Sequence, residues 1–100
     1  PGSWEITTVD TADYVGADTH IFPRNGSMAI AYFDGRSNNM KLAQLDGEAW
    51  TTDTVTGDEV DEDGNTHARG FHNEAITIDG VDYLGCYDYT SQNLWFSAVE

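Results

Sequence analysis

The chain has 100 residues, 39% of them apolar and 12% aromatic, which supports one small packed unit and excludes a disordered tail. Its 18 acidic residues stand against four basic ones (Arg24, Arg36, Lys41, Arg69), a net charge of −14. Nucleic acid and anionic membrane surfaces are excluded as partners, because both require clustered Lys and Arg.

In chain order, Pro1-Gly2-Ser3 reads as a cloning remnant outside the fold. Short runs rich in β-branched and aromatic residues then predict strands near 4–9, 19–23, 27–34, 40–45, 50–55, 74–78, 81–88 and 94–99. Asn25-Gly26, Asp46-Gly47 and Asp79-Gly80 supply turns between them, since Asn-Gly and Asp-Gly tolerate the positive φ of a tight hairpin. Residues 57–73 form an acidic insert. No segment sustains a 3.6-residue apolar period, so the expected fold is all-β. Cys86 is the only cysteine, which rules out an internal disulfide, and its place in Tyr83-Leu84-Gly85-Cys86-Tyr87 predicts a buried strand position rather than a nucleophile.

The chain repeats itself. Trp4-Glu5-Ile6-Thr7-Thr8-Val9 matches Trp50-Thr51-Thr52-Asp53-Thr54-Val55, 46 positions on, and Ile30-Ala31-Tyr32-Phe33-Asp34 matches Leu84-Gly85-Cys86-Tyr87-Asp88, 54 positions on. The match runs past the aspartates: Asp34 and Asn39 before Met40-Lys41-Leu42-Ala43 parallel Asp88 and Asn93 before Leu94-Trp95-Phe96-Ser97. Each copy has the size of one four-stranded propeller blade, about 40 to 50 residues. The pattern resembles the repeat of propellers related to the sialidase-type, Asp-box blades, with two blades per chain, and the likeness covers nearly the whole sequence. The full Ser-x-Asp-x-Gly-x-x-Trp pattern is not present.

In such blades the Trp-initiated strand is the outermost. The resemblance therefore implies that residues 4–56 are an outer strand plus a first blade, and that 74–100 hold three strands of a second. Each chain would lack one strand and carry its complement, so residues 4–9 are expected to complete a neighbouring chain's blade in a closed homo-oligomeric ring. A six-bladed trimer is the leading expectation and an eight-bladed tetramer the next. The alternative is a piece cut from a longer protein.

Glu59, Asp61 and Asp63 alternate before Gly64, as the oxygen ligands of a calcium or magnesium loop would; a solvated acidic insert is the plainer expectation, with no cofactor. His20, His67 and His72 lack metal-ligand spacing and are expected to make ordinary hydrogen bonds. Asp34 and Asp88 recur once per copy, which predicts a turn-forming role rather than a catalytic pair, because two acid/base carboxylates need unlike environments. Trp4 and Trp50 are the repeat's own aromatic markers. Trp95 and Tyr89, with Trp50 and Tyr32, are the rings from which a sugar-stacking surface would be drawn.

Two functions from different classes remain. The first is a self-assembling propeller scaffold without a catalytic site. The second is a carbohydrate-binding, lectin-like oligomeric propeller, since two-blade fucose-binding lectins are similar in size and economy; their Arg and Glu are missing from 28–33 and 40–44. A sialidase-type enzyme is not expected, because three dispersed arginines supply no arginine cluster. Abundant Asp with one Lys is the habit of haloarchaeal proteins and predicts a salt-adapted source. Extracellular and haloarchaeal cytoplasmic locations both fit.

Overall fold

A computed structural model describes residues 2–99, which fold into two antiparallel sheets; among the described residues there is no helix. The first sheet is a four-stranded meander of β1 (Val15–Arg24), β2 (Ser27–Asp34), β3 (Asn39–Asp46) and β4 (Ala49–Thr56). The second has three strands, β5 (Arg69–Ile78), β6 (Val81–Asp88) and β7 (Asn93–Val99). Asn25-Gly26 and Asp79-Gly80 close the first hairpin of each sheet with positive φ at both residues, as their turn chemistry requires.

The two sheets repeat one backbone. Left-handed residues recur in matched pairs 54 positions apart: Gly16 and Gly70 at φ 108° and 106°, Asp18 and His72 at 52° and 55°, Asn38 and Gln92 at 61° and 59°. The ladders share their irregularities, with breaks between Ala17 and His20 in β1 and between Phe71 and Glu74 in β5. The Gly35 N–H donates to the Tyr14 carbonyl at 2.8 Å, and the Tyr89 N–H to the Ala68 carbonyl at 2.9 Å. Side-chain similarity in the sequence is thus matched by the same bulges at the same register.

These bulges also explain where the strand bounds differ from expectation. β1 begins at Val15 rather than 19, and β5 at Arg69 rather than 74, so the insert occupies 57–68. The positive-φ residues at 16, 18, 70 and 72 interrupt the two-residue alternation that marks a strand in sequence. Residues 4–9 belong to no strand. A ladder needs paired backbone groups, and among the described residues this segment pairs with no strand.

The core lies between the sheets. Phe22, Ala29, Ala31, Met40 and Leu42 of the first sheet meet Leu84 and Cys86 of the second, with Val55, Ala75, Trp95 and Val99 packed around them. Full burial of a Met or Leu side chain contributes about 1.5–3 kcal/mol. β5 lies closest to β1, less close to β2 and least to β3, so the sheets splay apart from a common β1/β5 side. Along it the His72 N–H donates to Asp18 Oδ2 at 3.0 Å, Asn73 Nδ2 donates to the Asp18 carbonyl at 3.1 Å, and His20 Nδ1 pairs with Glu74 Oε2 at 2.9 Å.

Gly70 sets how close the sheets come. A Cβ there would stand 2.9 Å from Met40 Cα and from the Asn39 carbonyl oxygen, at a φ that L side chains rarely adopt. Gly70→Ala is expected to destabilise the chain by about 2 kcal/mol or more. That corresponds to a melting temperature lower by about 10 °C in a thermal scan.

Candidate functional site: two open sheet faces and the acidic insert

The Asp at the end of each second strand organises the turn that follows it. Asp34 Oδ1 accepts the Arg36 N–H at 2.9 Å and Oδ2 accepts the Ser37 hydroxyl at 2.7 Å; Asp88 Oδ1 accepts the Ser91 N–H at 3.0 Å. Asp88 does more than its counterpart, because the insert lies over it. Arg69 Nε donates to Asp88 Oδ2 at 2.9 Å, and His67 Nδ1 meets the same oxygen at 2.7 Å. Burial works to raise the Asp88 pKa, but the Ser91, Arg69 and His67 hydrogen bonds outweigh it and hold the carboxyl well below its ordinary value.

His67 is pinned on both sides, with Nε2 at 2.8 Å from Asp61 Oδ2. Only the imidazolium donates from both nitrogens. Its pKa is raised, first by the hydrogen bond to Asp61 and then by that to Asp88, with burial and the nearby Arg69 acting against them. A raised folded-state value means that the contribution of His67 is complete below about pH 6.5 and is lost as pH rises through that folded value. NMR titration of His67 is expected to give a midpoint above about 6.5, with protease cleavage within 58–66 accelerating above it. A pH-independent cleavage rate would refute the pin.

Among the described residues no three His, Cys, Asp or Glu side chains converge as a metal centre. The candidate cation ligands are spent separately. Glu59 turns back to accept the Gly57 N–H at 2.6 Å and the Thr56 hydroxyl at 3.0 Å. Asp61 Oδ1 accepts the N–H groups of Asp63 and Asn65, both at 2.9 Å, closing a small turn, while Asp63 is exposed. A carboxylate loop that satisfies its own amides needs no cation to hold its shape.

The ring-bearing residues divide between two places. Trp95 is half-buried under Arg69, whose guanidinium carbon lies 5.7 Å from the ring centroid, and lines a groove of about 360 Å³ with Arg24, Asp53, Val55, Glu59 and Val99. Tyr89 lies elsewhere, exposed at the end of an aromatic row with the half-buried Phe71 and Tyr87. Cys86 is buried, its Sγ accepting the Gly70 N–H at 3.3 Å, and burial pushes its thiol pKa up. Asn39 is buried and donates to Asp58 at 2.7 Å, whereas Asn93, its counterpart, is exposed.

No protein-family model, curated protein or solved structure matches the chain. Its own internal repeat is therefore the available standard of comparison. Residues 4–9 run beside the first sheet: Glu5, Thr7 and Val9 line a hollow with Met28, Leu45 and Trp50, while Trp4 is 94% exposed. Asp10 anchors the segment, accepting from Lys41 Nζ at 2.6 Å and from the Tyr32 hydroxyl at 2.7 Å. These bonds and the Ala12 N–H hold its pKa down at about 2. In the repeat, Val9 corresponds to Val55 and Leu45 to Val99. Val9 shares a hollow with Leu45 just as Val55 shares a groove with Val99. The N-terminal segment thus flanks the first sheet as β4 flanks the second. That correspondence was missed in sequence because it requires knowing which face each strand turns to its neighbour.

Proposed function

We propose that the protein is a self-assembling β-propeller scaffold, each chain supplying two blades and residues 4–9 adding the fourth strand of a neighbour's second blade. The observation that carries this reading is an open edge and a segment that matches the strand the repeat would put there. Among the described residues β7 pairs with β6 alone, and residues 4–9 lie outside any strand, beside the first sheet where a preceding blade's β4 would lie. A six-bladed trimer is the preferred closure and an eight-bladed tetramer the alternative. Assembly covers an edge that otherwise invites uncontrolled strand addition. The role is structural, without a catalytic step. Native mass spectrometry and sedimentation in molar salt test it: a discrete trimer or tetramer is the expected result, and a monomer refutes it.

Carbohydrate binding is the second reading, favoured by one feature: the groove between β4 and β7 sets the Trp95 ring among Arg24, Asp53 and Glu59. An aromatic face with charged hydrogen-bonding groups around it is the chemistry that holds a sugar ring. Saturable binding in a glycan screen at high salt, lost in Trp95→Ala, supports it; silence across the screen refutes it.

A further inference from the structure

The two sheets present the same two faces, and one face of each is differently occupied. In the first sheet Phe22, Met40 and Leu42 are buried against the second sheet. Their counterparts 54 positions on are Ile76, Leu94 and Phe96, equally apolar and all exposed, Leu94 at 82%. Polar residues are expected where a sheet face meets water. Three large apolar side chains at the three corresponding positions mark a covered surface.

The opposite face of the first sheet holds the complementary vacancy. A hollow of about 240 Å³ is lined by Val9, Asp10, Val15, Gly16, Thr19, Ile30 and Tyr32, with the Asp10 carboxylate engaged by Lys41 and the Tyr32 hydroxyl. Four of these, Val15, Gly16, Ile30 and Tyr32, correspond to Arg69, Gly70, Leu84 and Cys86 of the second sheet. Gly70 is the residue whose missing Cβ admits Met40, and Leu84 and Cys86 share the core cluster with Met40. Gly16 has the same left-handed φ as Gly70, yet nothing lies within 4 Å of where its Cβ would be. A glycine kept at that conformation beside open space fits a close approach that the single chain does not make.

We propose that Leu94, with Ile76 and Phe96 beside it, docks into the hollow at Gly16, Ile30 and Tyr32 of a second copy of this chain. The contact repeats the one that the two sheets make within the chain. Leu94 enters beside Gly16 as Met40 lies beside Gly70. The Val15 N–H meets the Gln92 carbonyl of the second copy as the Arg69 N–H meets the Asn38 carbonyl at 3.0 Å. The second copy, rather than another protein, is the occupant because the intramolecular interface is already a fitted example of the same two surfaces. The contact is head to tail, so each copy offers one knob face and one socket face, and repetition closes a ring. The inference rests on the scaffold reading, but it concerns the sheet faces and not the added strand.

Two single substitutions separate the faces. Leu94→Arg blocks the knob and Ile21→Arg the socket side, where Ile21 is exposed and corresponds to Ala75 of the packed second sheet. Both residues face water in the single chain, so each variant is expected to keep the wild-type circular dichroism spectrum. Each also lowers the net negative charge, so lost assembly cannot come from added repulsion. In molar salt each variant alone is expected to sediment as a monomer. An equimolar mixture is expected to give a dimer and nothing larger, because one intact knob and one intact socket remain. A wild-type oligomer whose mass survives Leu94→Arg overturns this inference and leaves the scaffold reading standing. A mixture that stays monomeric, beside an oligomeric wild type, overturns the head-to-tail match. A wild-type monomer overturns both, and points to a further blade of a longer chain as the occupant.

Discussion

Removing residues 1–9 is expected to convert the assembled protein to single chains while both sheets stay folded. The truncation keeps Asp10, whose bonds to Tyr32 and Lys41 belong to the first sheet's own support. What it removes is the strand offered to β7. A six-residue strand supplies about three to six backbone hydrogen bonds at about 1 kcal/mol each. Their loss, about 4 kcal/mol, weakens each seam by about a thousandfold. Sedimentation at micromolar concentration in molar salt reads this as loss of the oligomer, with an unchanged far-ultraviolet spectrum. A shortened chain that keeps the wild-type mass would show that residues 4–9 complete no neighbour's blade. Trp4→Ala should act in the same direction and more mildly, since Trp4 is exposed in the single chain.

Lowering the salt is expected to have a comparable effect without any change in sequence. Each chain carries a net charge of −14, and bringing chains together concentrates it. Screening extends only about 3 Å at 1 M salt, but more than about 10 Å at 0.05 M, so carboxylates that ignore one another at high salt repel across a seam at low salt. The assembly should dissociate between those conditions, and the melting temperature should fall by about 10 °C, equivalent to about 2 kcal/mol. Calorimetry and sedimentation across the salt series check it. A melting temperature and mass that do not move would show that the charges are balanced locally. The ion pairs of Lys41 with Asp10, Arg24 with Asp82 and Arg69 with Asp88, at 2.6, 3.2 and 2.9 Å, are too few to offset the remaining carboxylates.

The sequence by itself determined the hairpins and the repeat. Asn25-Gly26 and Asp79-Gly80 announce turns, and the runs at 27–34 and 81–88 are short, rich in apolar and aromatic residues and bounded by turn signals; both are local signals, readable within a few residues. The true starts of β1 and β5 were hidden, since Asp18 and His72 adopt positive φ where each is held by the other sheet, through the His72 N–H and Asp18 Oδ2. The acidic insert showed its charge but not its partners. That Asp61 is held by its own loop and by His67 is a matter of geometry at the scale of one hydrogen bond. Tertiary structure alone decided which apolar residues are covered. Met40 and Leu94 sit in matching segments and look alike as text, yet one is fully buried and the other open, because burial belongs to the neighbour a face meets and not to the residue that carries it.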